Sequence, residues 1–240
     1  MTNPAKVVTL TINGHELSGR EDETILDVAR DHEISIPTMC QLDGLTSWGG
    51  CRLCLVEVQG SPKLQAACVT AVHEGMVINT ESDKLHSYRQ SITEMLFTEG
   101  NHICAVCVSN GHCELQTMAQ DLQIDHISLP YTYPKRAVDA SHQDFIFDPN
   151  RCILCTRCVR TCDEVEGAHT WDVAGRGIES RLITDLDTQW GDSTSCTSCG
   201  KCVQVCPTGA LYEKGSGAGE MEKSPSFLAY LQEMRSTKHD

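Results

Sequence analysis

Cysteine is the residue type that points most clearly to chemistry in this chain, which has 15 cysteines among its 240 residues. Closely spaced thiolates bind soft metals and iron–sulfur clusters, whereas disulfides require an oxidising compartment. The chain starts without a basic segment followed by an apolar one, so we expect no secretion signal and a cytoplasmic protein with reduced thiols. The odd number of cysteines also argues against a closed set of disulfides.

Two related cysteine runs in the C-terminal third share the spacing C-x2-C-x2-C-x3-C. In two-cluster bacterial ferredoxins, three cysteines of each run bind one [4Fe–4S] cluster and the fourth binds the other cluster. The spacing therefore predicts two clusters with exchanged ligands. The first ligand set is Cys152, Cys155, Cys158 and Cys206, and the second is Cys196, Cys199, Cys202 and Cys162. Zinc is the alternative, although zinc sites favour separate C-x-x-C pairs.

Four cysteines nearer the N-terminus predict a [2Fe–2S] cluster, and they are Cys40, Cys51, Cys54 and Cys68. Plant-type ferredoxins use C-x4-C-x2-C and a distant fourth cysteine. Here the gap between the first two cysteines is longer, and its glycines are expected to keep the loop flexible. A redox-inert zinc site is the alternative reading of the C-x-x-C pair.

A middle run contains only three cysteines, Cys104, Cys107 and Cys113, so a fourth ligand must come from another residue. Histidine also ligates clusters, and two histidines lie nearby. We favour His102 over His112, because the side chain of His112 points away from its neighbour Cys113. With His102, the 15 cysteines complete the ligands of one [2Fe–2S] and three [4Fe–4S] clusters.

The elements that position these ligands form an α+β arrangement. Alternating residues on either side of Asn13-Gly14 predict a β-hairpin. Thr24 and Asp27 predict the start of a helix that continues until Pro37 stops it. Helices are also predicted over 81–99 and 114–122. The predicted domains are a [2Fe–2S] domain (1–80), a histidine-ligated [4Fe–4S] domain with its linker (81–143), a two-[4Fe–4S] domain (144–212), and a flexible joint with a docking helix (213–240). The apolar face of that last helix would comprise Phe227, Leu228, Leu231 and Met234.

Composition and motifs exclude several functions. The formal net charge of −14 disfavours nucleic acid and anionic lipid as partners. No apolar stretch is long enough to span a membrane. The glycines of 215–219 lack the spacing of a dinucleotide-binding turn, and no other catalytic motif stands out. We therefore expect no active site in this chain.

The runs GNHICAVCVSNGHCELQ (100–116) and RCILCTRCVRTCDEVEGAHTWDVAGRG (151–177) resemble the small diaphorase subunit of NAD-reducing [NiFe] hydrogenases. The motif order is also similar to the N-terminal region of the large peripheral subunit of complex I and of [FeFe] hydrogenases. Those two families place three residues between the ligand histidine and the next cysteine, whereas one separates His102 from Cys104.

The resemblance implies a β-grasp [2Fe–2S] domain, a small helical domain with one histidine and three cysteine ligands, and a two-[4Fe–4S] ferredoxin-like domain. It implies a flavin- and NAD-binding diaphorase subunit and the hydrogenase small and large subunits as partners, with FMN and NAD bound only in a partner. The chain would relay single electrons between them. An NAD-linked formate dehydrogenase, a complex I-like assembly and a free-standing polyferredoxin are the alternatives.

Overall fold

The computed structural model describes residues 5–230 of the chain. It divides into two compact units. The first comprises the residues up to 41 together with 47–93, and the second comprises 42–46 and the residues from 94 onward. The finer domain limits predicted at residues 80, 143 and 212 stay predictions.

The first unit is a mixed sheet crossed by one helix. Its elements are β1 (Val7–Ile12), β2 (His15–Arg20), α1 (Ile25–Asp31), β3 (Leu55–Val58), β4 (Gln65–Ala66), β5 (Val77–Asn79) and the start of α2 (Asp83–Thr98). The strand order is β2-β1-β5-β3-β4, with β1 antiparallel to β2 and parallel to β5. This is the β-grasp arrangement that the resemblance implied.

Local sequence explains how this unit begins. Asn13 and Gly14 have φ values of 51° and 83°, the left-handed conformations of a tight hairpin turn, so the predicted hairpin is confirmed. The Thr24 hydroxyl accepts a hydrogen bond from Asp27 N, and the Asp27 carboxylate accepts one from Thr24 N. This reciprocal pair confirms the predicted start of α1.

The predicted end of α1 is wrong, because the helix stops at Asp31 and does not continue to Pro37. Glu33 adopts a left-handed φ of 59°. The Ile34 N–H then donates back to the Ala29 carbonyl at 2.7 Å. Such a closing turn satisfies carbonyls at the helix end without proline.

The second unit contains short elements separated by the cysteine loops. After α2 come α3 (Glu114–Asp121), β6 (Phe145–Phe147), α4 (Arg157–Arg160), β7 (Trp171–Ala174), β8 (Arg181–Thr184), α5 (Lys201–Gln204) and β9 (Leu211–Glu213). Strand β6 pairs with β9 and β7 with β8, both antiparallel. A π-helical turn, Thr161–Glu166, continues directly from α4.

Two segments expected to be flexible are held in place within this unit. In the loop after Cys40, Leu45 is buried against Val205 and Leu228, and Thr46 N donates to Glu164 at 2.8 Å. The predicted flexible joint is also bonded at its end, where Gly219 N donates to the Cys107 carbonyl at 3.0 Å. Glycine content alone therefore overstated the freedom of both segments.

Residues 226–230 are helical, as predicted for the C-terminal segment. Leu231 and Met234 of its predicted apolar face lie outside the described residues. Within 5–230 no helix combines the length and the hydropathy needed to cross a membrane.

Candidate iron–sulfur centres

The four N-terminal cysteines meet in the first unit. Cys54 Sγ lies 3.4 Å from Cys68 Sγ, and the Cys51 sulfur accepts a hydrogen bond from Cys40 N at 3.4 Å. Hydrogen bonds from Cys51 and Cys68 lower the pKa of Cys40, and one from Cys68 lowers the pKa of Cys54 to about 7. All but Cys51 are buried. Four thiols that share protons at this distance have the chemistry of a soft-metal donor set.

A cavity in the second unit is lined by His102, Cys104, Cys107 and Cys113, together with Phe97, Arg151 and the Thr208-Gly209 turn. At Gly209 an added Cβ would overlap the Cys107 sulfur, so only glycine allows this close approach. The structure thus brings all four predicted ligands of the middle cluster to one cavity.

His102 lines that cavity and has an unused acceptor on its ring. Its Nε2 atom is buried and has no hydrogen-bond partner. Burial lowers the pKa of His102 to about 4, and a hydrogen bond to the Leu96 carbonyl acts in the opposite direction. The ring is therefore neutral near pH 7. Metal-bound histidines commonly have this arrangement, with one ring nitrogen on a carbonyl and the other on the metal.

His112, the alternative to His102, is exposed and does not line the cavity. Its backbone N–H donates to the Ser109 carbonyl at 3.0 Å within the turn that leads to Cys113. Solvent exposure is the ordinary situation of a surface imidazole.

The two C-terminal runs line two further cavities, and their fourth cysteines are exchanged as the spacing predicts. One cavity is lined by Cys152, Cys155, Cys158 and Cys206. The other is lined by Cys162, Cys196, Cys199 and Cys202. Cys162 reaches the second cavity because it lies on the π-helical turn beyond α4. Of the 15 cysteines, all of which are free thiols within the described residues, Cys199 alone is classed as exposed.

The two runs also share a backbone conformation. Leu154 and Ser198 have φ values of 51° and 56°, and Thr156 and Gly200 have values of 60° and 69°. Leu154 and Ser198 each lie two residues after the first cysteine of their run. Thr156 and Gly200 each lie one residue after the second cysteine. Left-handed residues in tight loops turn backbone N–H groups inward, and one such group, Leu154 N, donates to Cys152 Sγ at 3.4 Å.

Burial makes five of the thiols that line these cavities poor acids in the absence of a bound group. It raises the pKa of Cys113 and of Cys155 to about 11, and it also raises the pKa of Cys152, Cys158 and Cys202. Because a bound metal stabilises the thiolate, such buried sets fit metal or cluster ligation. Among residues 5–230, no three histidine, cysteine or acidic side chains converge closely enough to hold a single metal ion.

Sequence reasoning missed several side chains that surround these cavities. Trp171 and Trp190 line the second C-terminal cavity, and the rings of His142 and Phe145 pack on Trp190 at 4.8 and 5.6 Å. Arg157 forms a bidentate ion pair with Glu114 at 2.6 and 2.8 Å. No local sequence signal identifies these residues as neighbours of the cavities, because most of their partners lie far away along the chain.

Three family models match successive parts of the chain. Residues 5–83 match a 2Fe-2S iron-sulfur cluster binding domain, and 89–128 match the NADH-ubiquinone oxidoreductase-G iron-sulfur binding region. Residues 146–212 match the ferredoxin-like domain of NADH-quinone oxidoreductase subunit 3. The chain therefore carries iron–sulfur domains of both predicted types.

Relatives include the alpha subunit of the NADPH-Fe(3+) oxidoreductase of Geobacter sulfurreducens, 36% identical over 208 residues. That match covers 87% of this chain, which spans only 24% of the relative. A solved NAD+-reducing [NiFe]-hydrogenase in the H2-reduced state contains a similar chain, with a TM-score of 0.82, 36% identity and 88% coverage of both chains. The gamma subunit of the NAD-reducing hydrogenase HoxS of Cupriavidus necator is 33% identical over 211 residues, or 88% of each chain. This chain accordingly belongs to the family of the HoxS gamma subunit of NAD-reducing hydrogenases.

Proposed function

We propose that this chain is the iron–sulfur electron-transfer subunit of an NAD-reducing hydrogenase, holding one [2Fe–2S] and three [4Fe–4S] clusters. The observation that carries the proposal is the set of three similar cavities in the second unit, each lined by four predicted ligands. When bound, such clusters supply one-electron carriers.

The residues of this chain bind and shield the clusters. In the middle cavity, His102 is the fourth ligand beside three cysteines, and its orphaned Nε2 supports this role. In the other two cavities the ligands are cysteines, and apolar side chains such as Leu182, Leu211 and Ala168 exclude water. A water-poor shell and hydrogen bonds to sulfur are the means by which a protein sets cluster potential.

The relay connects a flavin- and NAD-binding diaphorase subunit to a hydrogenase module of small and large subunits. FMN and NAD bind in the diaphorase partner, and this chain has no active site of its own. The HoxS gamma relative and the solved NAD+-reducing [NiFe]-hydrogenase support this assignment. A hydride delivers two electrons whereas each cluster accepts one, so a flavin must divide the pair before the relay.

A complex I-like assembly is the second candidate. The chain is 35% identical over 209 residues to the mitochondrial NADH-ubiquinone oxidoreductase 78 kDa subunit of Candida albicans, but it spans only 28% of that relative. The similar chain of the solved NAD+-reducing [NiFe]-hydrogenase, at a TM-score of 0.82, favours the hydrogenase.

Iron and sulfide analysis of the anaerobically purified chain tests the cluster count. Four clusters with these ligands require about fourteen iron atoms per chain. EPR of the dithionite-reduced protein should then resolve both cluster types. A content near ten iron atoms would remove one cubane from the proposal.

Purification of the chain from its native cells tests the partners. We expect it to elute with a flavin-containing subunit and a nickel-containing one. Hydrogen should reduce its clusters, as detected by EPR, whereas formate should not. Elution as a monomer would favour a free-standing polyferredoxin. Reduction by formate would move the relay to a formate dehydrogenase.

A further inference from the structure

One tryptophan points its polar N–H group at a sulfur atom of the second C-terminal ligand set. Trp190 Nε1 lies 3.3 Å from Cys196 Sγ, within hydrogen-bonding distance. Trp171 lines the same cavity. On the same cavity wall, Thr170 N donates to Cys162 Sγ at 3.3 Å. Two of the four sulfurs in this set thus receive a hydrogen bond.

Both indoles are fully inside the protein. Trp190 is 1% exposed and Trp171 is 3% exposed. Their rings meet edge to face at 4.9 Å. A buried indole N–H normally requires a hydrogen-bond partner, since leaving it unpaired costs free energy. For Trp190 that partner is the Cys196 sulfur, and the low local dielectric strengthens such a bond.

The backbone around Trp190 is fixed by a neighbouring segment. Trp190 N donates to Asp139 Oδ2 at 2.7 Å, and Gly191 N donates to Ser141 Oγ at 2.7 Å. Asp139 is in turn paired to Phe147 through two backbone hydrogen bonds of 2.8 Å. The indole therefore has little freedom to leave the sulfur when neighbouring groups change.

The cavity of the other C-terminal set differs in this respect. Among the described residues that line it there is no aromatic side chain, and its walls are formed by aliphatic and small residues. Its cysteines receive a backbone hydrogen bond from Leu154 N at 3.4 Å. The two cavities thus each contain four cysteine ligands, but different groups donate hydrogen bonds to their sulfur atoms.

We infer that Trp190 raises the reduction potential of the [4Fe–4S] cluster bound by Cys162, Cys196, Cys199 and Cys202, by donating an indole hydrogen bond to the Cys196 sulfur. The inference rests on the proposed ligand set. One-electron reduction adds a negative charge to the cluster and its sulfurs, so a hydrogen-bond donor stabilises the reduced form more than the oxidised form. Trp190 is a positioning residue that acts through this sulfur ligand.

The test is a redox titration of the full chain followed by EPR, with Trp190→Phe compared with the wild type. The signal of this cluster is first identified as the one that changes in Cys199→Ser. At a fixed ambient potential, the Trp190→Phe variant should lower the ratio of reduced to oxidised cluster about three- to tenfold. At 59 mV per tenfold for a one-electron couple, the midpoint becomes more negative by about 28 to 59 mV. Signals of the other clusters should not move.

Trp48→Phe is the matched control, because Trp48 is 55% exposed and belongs to the first unit. It should leave this midpoint unchanged. Replacing Trp190 with benzothienylalanine, which keeps the ring size but has sulfur in place of N–H, separates hydrogen bonding from packing. This replacement should reproduce the shift of Trp190→Phe while the iron content stays at the wild-type value.

The outcomes are distinct. A wild-type chain without about fourteen iron atoms would contradict the proposed function itself. A fully loaded wild type whose midpoint is unmoved in the Trp190 variants would contradict only the role of this indole. Loss of the cluster in both the phenylalanine and the benzothienylalanine variants would also overturn the inference, since Trp190 would then serve assembly and not potential.

Discussion

His102 is distinguished from the other histidine of its loop by burial and by an empty acceptor. Its Nε2 has no partner in a cavity shared with three cysteines, whereas His112 is exposed. Because burial lowers its pKa to about 4, no proton competes for Nε2 at neutral pH. A neutral imidazole donates electron density less strongly than a thiolate, so it leaves a cluster easier to reduce.

Substitution of His102 should therefore change one cluster only. In His102→Ala the EPR signal of the middle cluster should be lost or altered. In His102→Cys the signal should return at a potential more negative by on the order of 100 mV, because histidine ligation raises cluster potentials. His112→Ala is the matched control and should leave every signal unchanged. If His112→Ala altered the signal and His102→Ala did not, the ligand would be His112.

At the scale of elements, the N-termini of α3 and α4 are joined by the ion pair between Glu114 and Arg157. Each helix starts beside proposed cluster ligands: Glu114 follows Cys113, and Arg157 precedes Cys158. The Arg157 side chain is 3% exposed and Glu114 is 49% exposed. The Glu114 backbone also donates to the Pro207 carbonyl at 2.9 Å, next to Cys206. The pair thus fixes two ligand loops relative to each other within the second unit.

Glu114→Gln should reduce the free energy of unfolding of the second unit by about 1–2 kcal/mol, because the buried guanidinium loses its carboxylate partner while water partly screens the exposed one. Anaerobic denaturant titration of the cluster-loaded protein, followed by cluster absorbance, would measure this. The exposed Glu99 provides the control variant Glu99→Gln, which should change the midpoint of the denaturant titration little. Equal effects of the two variants would show that the pair contributes nothing.

Elements defined by neighbouring residues could be predicted from the sequence. The hairpin turn at Asn13-Gly14 and the cap at Thr24 depend on contacts within four residues, so their sequence signals are sufficient. The predicted end of α1 was wrong because Glu33 adopts a left-handed conformation just after the helix, which a glutamate in the sequence does not indicate. The cysteine spacing predicted which ligands share a cavity. It could not predict Trp190 beside Cys196, which requires Asp139 and Ser141 from a segment about fifty residues earlier.

At the scale of the whole molecule, the two units differ in the share of their buried core residues that are proposed cluster ligands. The core of the first unit is built mainly from aliphatic side chains of the sheet and α1, with Cys54 and Cys68 among its buried members. The core of the second unit includes Cys158, Cys162, Cys202 and Cys206 among its buried members. Three of its cavities are lined by proposed ligands. Removal of the clusters would take away the bonds between the proposed ligands and the clusters that connect the walls of each cavity.

Cluster removal by an iron chelator under mild oxidation should therefore unfold the second unit before the first. Binding energy that a metal centre contributes to the native state is lost with the centre, and cavities in a core are destabilising. Hydrogen–deuterium exchange should show lost protection at β6, β9 and α4, while β1, β2 and α1 keep most of theirs. Reconstitution with iron and sulfide should restore protection in the second unit, which separates cluster loss from chemical damage. Equal loss of protection in both units would contradict this difference between their cores.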